Sequence, residues 1–210
     1  MARPRKDEAG PSARDRLEEA FWLLLEEGPY KDITVRALTE RAQVNHNTFY
    51  YHFENIDEMA LNLTSKNVPH ELVEIVSSLI KGQDIATRFG DFANNAGLEL
   101  RFKRLQLLLR HGDARLIELG KRRIVPQYLS ILGIDINALS AADRACITFM
   151  MGGVIALISS EEAGSFAHYL ELLQSGIADA AAALWRQMGG KTRGGDVRGR
   201  PRISGMDTGA

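Results

Sequence analysis

A link of only three residues between two short helical patterns is the feature that most constrains this chain. Apolar residues recur at helical spacing over residues 34–42 and again over residues 45–53, and the link consists of Gln43, Val44 and Asn45. So short a link forces two helices to cross steeply, because an antiparallel return needs a longer connection. The pattern therefore predicts a helix-turn-helix unit.

The second helix of this unit has two chemically different sides. Phe49 and Phe53 recur on one side and are expected in the core. Asn47, Tyr50, Tyr51 and Glu54 fall on the opposite side. Two adjacent tyrosines suit DNA better than water, because a phenol donates to a phosphate and its ring contacts a thymine methyl group.

The first turn of the same helix carries His46, Asn47 and Thr48. In helix-turn-helix proteins the N-terminal residues of the second helix reach the base edges. Asn47 suits an adenine edge, and the helix N-terminus adds a partial positive charge toward phosphates. This turn is therefore a candidate for reading DNA sequence.

Residues 33–61 resemble the DNA-binding core of the TetR family of transcriptional regulators, and the run TFYYHF at residues 48–53 is the most specific part. The close resemblance covers roughly residues 12–64. It implies that Asn47, Thr48 and Tyr51 lie near bases, and that Thr34, Tyr50 and His52 lie on the DNA backbone. The full set expected at DNA is Arg3, Arg5, Thr34, Arg36, Asn45, His46, Asn47, Thr48, Tyr50, Tyr51 and His52.

Three positions depart from the family pattern. Gln43 stands where glycine is usual, so it is expected to adopt a positive φ or to change the turn. Thr39 replaces a small alanine at the helix crossing. Glu54 and Ile56 stand where a lysine often grips phosphate.

Charge limits how the chain can bind DNA. The whole sequence has 26 basic and 27 acidic residues, which excludes binding through bulk positive charge. Residues 1–66 hold nine basic residues against twelve acidic ones, a net charge of −3. We therefore expect a modest salt dependence, with Arg36 and Arg41 near phosphates and Arg3, Arg5 and Lys6 acting as an arm in the minor groove.

The remaining chain is also predicted to be helical, so the fold class is all-α. Ser12 and Asp15 resemble a capping box, and Gly28-Pro29 ends the first helix. Asn55 caps a fourth helix. Further breaks are expected at Pro69, Gly82, Gly97, Gly112, Pro126 and Gly133, and two long helices are expected over residues 140–160 and 165–188.

This pattern divides the chain into four parts. Residues 1–11 are a basic arm expected to be disordered, and residues 12–66 are the three-helix DNA-binding domain. Residues 67–188 are a larger helical domain for ligand binding and dimerisation. Residues 189–210 are a glycine-rich basic tail, also expected to be disordered, which is either a solvated end or a nonspecific polyanion contact.

The last two long helices are expected to form a homodimer interface, because a palindromic operator requires a twofold protein. Gly152 and Gly153 tolerate a helix-propensity cost that close approach of a partner helix would explain. An ordinary intramolecular core is the alternative. The interface residues are predicted to be Cys146, Gly153, Leu157, Phe166, Leu173, Ile177 and Leu184.

A ligand cavity is expected among the helices of residues 85–160. A mixed apolar and aromatic wall would suit a small amphiphile, although most of its candidate residues would serve equally well as plain core. The candidates are Phe89, Phe92, Phe102, Leu108, His111, Tyr128, Phe149 and Met150. By binding one state better, the ligand would shift the fourth helix and release the operator, so a repressor is predicted.

Other classes of protein are disfavoured. Cys146 is the only cysteine, which excludes an internal disulfide and a cysteine-based zinc site and fits the cytoplasm. No signal peptide and no apolar run of about 18 residues is apparent, and no cofactor is expected. An all-α enzyme lacks any catalytic motif here, whereas a helix-turn-helix-like module that binds a protein partner remains an alternative.

Overall fold

A computed structural model describes residues 10–80, 95–177, 179–180 and 183–184. Regular structure within these residues is helical, with no strand, as the sequence predicts. Arg3, Arg5, Lys6, Phe89 and Phe92 lie outside the described residues, as do the basic arm up to residue 9 and the glycine-rich tail.

The N-terminal half begins with four helices that carry polar caps. They are α1 (Ala13–Glu27), α2 (Val35–Ala42), α3 (His46–His52) and α4 (Ile56–Asn67). The predicted capping box of α1 is present, because the Ser12 hydroxyl accepts from the Asp15 N–H while the Asp15 carboxylate accepts from the Ser12 N–H. A 3₁₀ turn (Tyr30–Asp32) connects α1 to α2.

The C-terminal half contains longer helices. They are α5 (His70–Ile80), α6 (Ala96–His111), α7 (Ala114–Ile131), α8 (Ala141–Ser159) and α9 (Phe166–Leu172). The break expected at Pro126 is wrong, because this exposed proline lies inside α7, where neighbouring apolar residues keep the helix packed. After α9 the chain continues as a π-helical segment (Leu173–Ile177), and residues 179–180 and 183–184 are again helical, so the long helix expected over residues 165–188 is interrupted by the π-helical segment but not ended by it.

Two cores hold these helices together. The first core joins α1, α2, α3 and α4, and it also includes Leu108 of α6 and Leu116 of α7. The second joins α5, α6, the end of α8 and α9. Because α1 and α4 both pack on α6, and α4 packs on α7, the two halves of the chain are in direct contact.

The second core corrects part of the predicted dimer interface. Phe166 and Leu173 are buried within the subunit, and the Phe166 ring lies 5.3 Å from the Phe102 ring in an edge-on contact. Neither side chain is available to a partner, so the interface prediction is wrong for these two residues. Phe102 belongs to the same core, which also removes it from the predicted ligand pocket.

Helix α8 has an unusual surface. It is 19 residues long and apolar enough to cross a membrane by length and composition, yet only 11% of its apolar window is buried. The expected absence of an uninterrupted apolar run of about 18 residues still holds for α8, because Asp143 and Arg144 stand in its first turn, although the helix meets the looser criteria of length and composition. A packed helix of a globular protein meets them as well, and α8 does pack along one side against α6.

Candidate nucleic-acid interface

A tight turn sets the angle at which α3 leaves α2. Gln43 ends α2 in the left-handed conformation, with φ 53° and ψ 46°. Its N–H and that of Val44 then bond to the last carbonyls of α2, with the Val44 nitrogen 3.0 Å from the Thr39 oxygen. The positive φ expected from the missing glycine is confirmed, so the turn keeps its shape at the cost of backbone strain at Gln43.

The inner side of α3 is anchored by aromatic rings. Phe49 and Phe53 are buried, and their ring centroids lie 5.7 Å apart. Thr39 is also buried at the crossing, and its hydroxyl donates to the Val35 carbonyl of its own helix at 3.0 Å. Thus the threonine brings no unsatisfied polar group into this contact.

The outer side of α3 presents the two tyrosines to solvent. Tyr51 is 85% exposed and Tyr50 is 55% exposed. Neither hydroxyl has a hydrogen-bond partner within the described residues, and both are free to donate to a ligand. The Tyr50 ring is held by an edge-on contact with His46, whose centroid lies 5.3 Å away. The predicted orientation, with phenols outward and phenylalanines inward, is confirmed.

The first turn of α3 combines capping with exposed polar groups. The Asn45 side-chain oxygen accepts from the Asn47 N–H at 2.9 Å, which makes Asn45 the N-cap. The Asn47 side chain itself is exposed, while Thr48 and His52 are partly buried. Asn47 is therefore the amide best placed to reach a base edge from this turn.

Helix α2 supplies a second set of polar groups beside α3. The Thr34 hydroxyl caps α2 by accepting from the Ala37 N–H at 3.1 Å, and it remains exposed. Arg36 pairs with Glu40 at 2.7 Å, and Arg41 pairs with Glu27 through two bonds of 2.8 and 2.7 Å. The Arg41 guanidinium holds the pKa of the Glu27 carboxyl below its usual value. Both arginines thus already have acidic partners.

Residues 19–63 match the family model described as bacterial regulatory proteins, tetR family. The N-terminal domain is a TetR-family DNA-binding domain. The match spans α2, the turn and α3, whose geometry is that of a helix-turn-helix, and it makes the chain a DNA-binding transcription regulator. Comparison with the curated proteins and with the solved structures gives no match.

A polar cluster that sequence reasoning missed joins this TetR-family domain to α7. The Tyr30 hydroxyl donates to Asp57 Oδ1 at 2.6 Å, and Arg115 Nη2 lies 2.7 Å from Asp57 Oδ2. Burial and the Asp57 carboxylate raise the pKa of Tyr30, so its phenol stays protonated. The three residues are far apart in sequence, and no local pattern indicates their contact.

The regulator's C-terminal half contains a cavity of about 190 Å³, partly open to solvent, that is lined mainly by residues of α4, α5, α6, α7 and α8. Of the predicted pocket residues, Leu108, Tyr128 and Met150 line it. Phe149 does not, because its side chain is 72% exposed on α8, and His111 lies at the end of α6 outside the wall. The pocket prediction is wrong for Phe102, His111 and Phe149.

Proposed function

We propose that the protein is a ligand-responsive repressor that binds a palindromic operator as a homodimer. The observation that carries the proposal is the outward face of α3, where Asn47, Tyr50 and Tyr51 are exposed without internal hydrogen-bond partners for the two phenols. A helix of this kind fits the major groove, and its N-terminal turn faces the bases. Repression needs only occupancy of a promoter, which makes it the simpler mode of control.

The contacts divide into those that read sequence and those that position the protein. We assign Asn47, Thr48 and Tyr51 to base edges, since Asn47 and Tyr51 are exposed on α3 and the partly buried Thr48 lies beside Asn47 in the first turn. We assign the remaining polar groups to the DNA backbone, together with the arm beyond the described residues. These are Arg3, Arg5, Thr34, Arg36, Asn45, His46, Tyr50 and His52.

To bind a phosphate, Arg36 or Arg41 must first leave the acidic side chain with which it pairs in the free protein. Arg36 is bound to Glu40 in the free protein, but this pair is exposed and is worth only about 0–1 kcal/mol. A phosphate therefore displaces Glu40 at little cost. The same exchange at Arg41 breaks a two-bond pair with Glu27, so Arg36 is the better phosphate ligand.

The exposed face of α8 supports the homodimer. Phe149 points outward, and Gly152 and Gly153 are exposed where a Cβ atom would meet nothing within 4 Å in the described residues. Nothing in the part of the chain that the structure describes thus requires glycine at these positions, whereas close approach of a second α8 would. Cys146, Gly153, Leu157, Ile177 and Leu184 remain candidate interface residues, and Phe149 is added to them.

The exposed apolar face of α8 is better suited to contact a second copy of the protein than a membrane. The first turn of α8 carries Asp143 and Arg144, and the helix packs on α6 along one side and buries Ile158 at its other end. The charged residues of the first turn and the side already packed on the subunit both disfavour insertion of this helix into a bilayer. This arrangement supports a protein of the cytoplasm, where its DNA partner also lies.

The cavity provides a route from ligand to DNA. Thr64 and Val68, at the C-terminal end of α4, are part of its wall. The other end of α4 starts directly after α3 and carries Asp57 of the polar cluster. A ligand that favours one position of α4 would change the distance between the two α3 helices of a dimer, which must match half-sites about 34–36 Å apart or a multiple of that spacing.

Selection of binding sites from random DNA duplexes tests the proposal. The full-length protein is expected to enrich an inverted repeat and to protect it with two subunits per site. Phe149→Asp is expected to weaken the dimer and operator binding together, while Phe149→Leu serves as the matched control. Enrichment of a single half-site by a monomer would contradict the homodimer. A folded protein that enriches no sequence would favour the alternative in which the tyrosine face binds a protein partner.

A further inference from the structure

The cavity wall is almost entirely hydrocarbon. Among its 22 lining residues only Thr64, Lys121 and Tyr128 carry a polar side-chain atom other than sulfur. Tyr128 is also the one aromatic residue of the wall within the described part of the chain. The mixed aromatic wall expected from the sequence is therefore absent from these residues.

Each of the three polar side chains already has a partner. The Thr64 hydroxyl donates to the Ala60 carbonyl at 2.7 Å, and Lys121 Nζ lies 2.7 Å from Glu118. The Tyr128 hydroxyl donates to the Val68 carbonyl at 3.4 Å, a long and weak bond. Burial raises the pKa of Tyr128 to about 12, so this phenol is neutral at physiological pH.

A wall of this composition disfavours the binding of a charged molecule. Moving an ion from water into contact with this aliphatic wall would cost several kcal/mol, and the one charged side chain among the lining residues, that of Lys121, is 36% exposed and pairs with Glu118 at the surface. An uncharged apolar molecule loses nothing comparable and gains contact with the aliphatic wall. The chemistry of the wall therefore selects against both ions and strongly hydrogen-bonding ligands.

Size gives the second limit. An apolar protein cavity of about 150 Å³ stays free of water and binds benzene. The cavity here is about 190 Å³, which scales to a ligand of about six to ten non-hydrogen atoms. We propose that this cavity binds an uncharged, hydrocarbon-like molecule of that size, such as a small alkylbenzene or a cycloalkane.

Contact with α4 gives such a ligand a route to regulation, and this part rests on the proposed function. Gly120 of α7 faces α4 at the cavity, since a Cβ atom there would meet Thr64 Cγ2 at 3.9 Å. The two helices are thus close at the point where both line the wall. A hydrocarbon between them contacts α4 directly, with no polar group as intermediary.

Binding to the full-length protein tests the ligand class, with toluene and cyclohexane as neutral probes and benzoate and benzylammonium as charged probes of similar size. The neutral probes are expected to raise the melting temperature by about 2 °C or more at concentrations well above Kd, and the charged probes to leave it unchanged. Charged probes that bind as tightly as toluene would overturn the proposal, as would neutral probes that do not bind. This comparison uses the unaltered protein and does not depend on any variant.

Variants locate the probe. Ile155→Phe fills the cavity and is expected to weaken toluene binding at least tenfold, whereas Ile131→Phe, the same change at an exposed site on α7, is expected to leave it unchanged. Tyr128→Phe is expected to change toluene affinity less than twofold, since the ligand needs no hydrogen bond. Equal toluene affinity in Ile155→Phe would refute the assigned site.

Operator affinity measured with and without toluene separates the ligand class from the proposed regulation. Loss of operator affinity on toluene binding would support both the ligand class and ligand-responsive repression. Toluene binding without any change in operator affinity would leave the ligand class standing and contradict ligand-responsive repression. Intact operator binding with no toluene binding would contradict the ligand class alone.

Discussion

Removing the Tyr30 hydroxyl should destabilise the contact between the DNA-binding half and α7. Tyr30 is buried, and its hydroxyl bonds to the Asp57 carboxylate at 2.6 Å. A hydrogen bond to a charged group contributes about 1.5–3 kcal/mol. The Asp57 side chain is 31% exposed and keeps its ion pair with Arg115, so water can replace part of the hydrogen bond that the Tyr30 hydroxyl provided. We therefore expect Tyr30→Phe to lower the free energy of unfolding by about 1–2 kcal/mol.

Two further variants make this expectation discriminating. Arg115→Ala removes a side chain that is 73% exposed, and it should cost less than about 1 kcal/mol. Tyr169→Phe removes a second buried phenol oxygen, whose pKa is raised by burial and not by a neighbouring carboxylate, so it controls for the loss of a phenol oxygen that has no charged partner. We expect its cost to be below that of Tyr30→Phe.

Urea unfolding at neutral pH, followed by the fluorescence of Trp22 in the first core, measures all three variants and the Tyr30→Phe/Arg115→Ala double variant. The two single costs should not add, because both residues bind one carboxylate. A cost for Tyr30→Phe below about 0.5 kcal/mol, or one smaller than that of Arg115→Ala, would refute the reasoning.

Three other predictions follow from the geometry. Gln43→Gly should raise the free energy of unfolding in urea by about 0.5–1 kcal/mol, because glycine adopts the positive φ of this position without strain. Glu26→Gly, inside α1, should instead lower it by about 1 kcal/mol. Equal effects of the two substitutions would contradict backbone strain at Gln43. The folded pKa of Tyr169 is raised by burial above the unfolded value of 10.0, so stability should be full below pH 10 and fall above it, less steeply in Tyr169→Phe. The logarithm of operator affinity should fall with the logarithm of salt concentration at a slope of about −5 for the six arginine–phosphate contacts that Arg3, Arg5 and Arg36 make in a dimer, and Arg36→Ala should remove about two units of that slope; an unchanged slope would exclude Arg36 from the phosphates.

Local features of the DNA-binding half could be predicted from the sequence because they depend on neighbours in the chain. The capping box at Ser12, the positive φ of Gln43 and the opposite orientations of Phe49 and Tyr51 follow from spacing within one or two turns. Each needs only helix periodicity and the stereochemistry of a short turn. The family resemblance added the assignment to DNA.

Features that depend on tertiary packing could not be predicted in the same way. An apolar helix face can cover a core, a cavity or a partner, and periodicity does not distinguish them. Hence Phe166 was expected at the dimer interface but lies in the subunit's core, while Phe149 was expected in the pocket but points outward. The Tyr30–Asp57–Arg115 cluster joins residues distant in sequence, so no local pattern could indicate it.

Operator affinity of Tyr51→Ala, measured beside its melting temperature, tests the recognition face most directly. Tyr51 is 85% exposed, so the substitution should change stability by less than about 0.5 kcal/mol. One lost base contact per subunit should weaken operator binding by at least about tenfold. Leu100→Ala, an exposed position on α6, should leave the affinity unchanged. A folded Tyr51→Ala protein that binds the operator as tightly as the parent would contradict the assignment of this face to DNA.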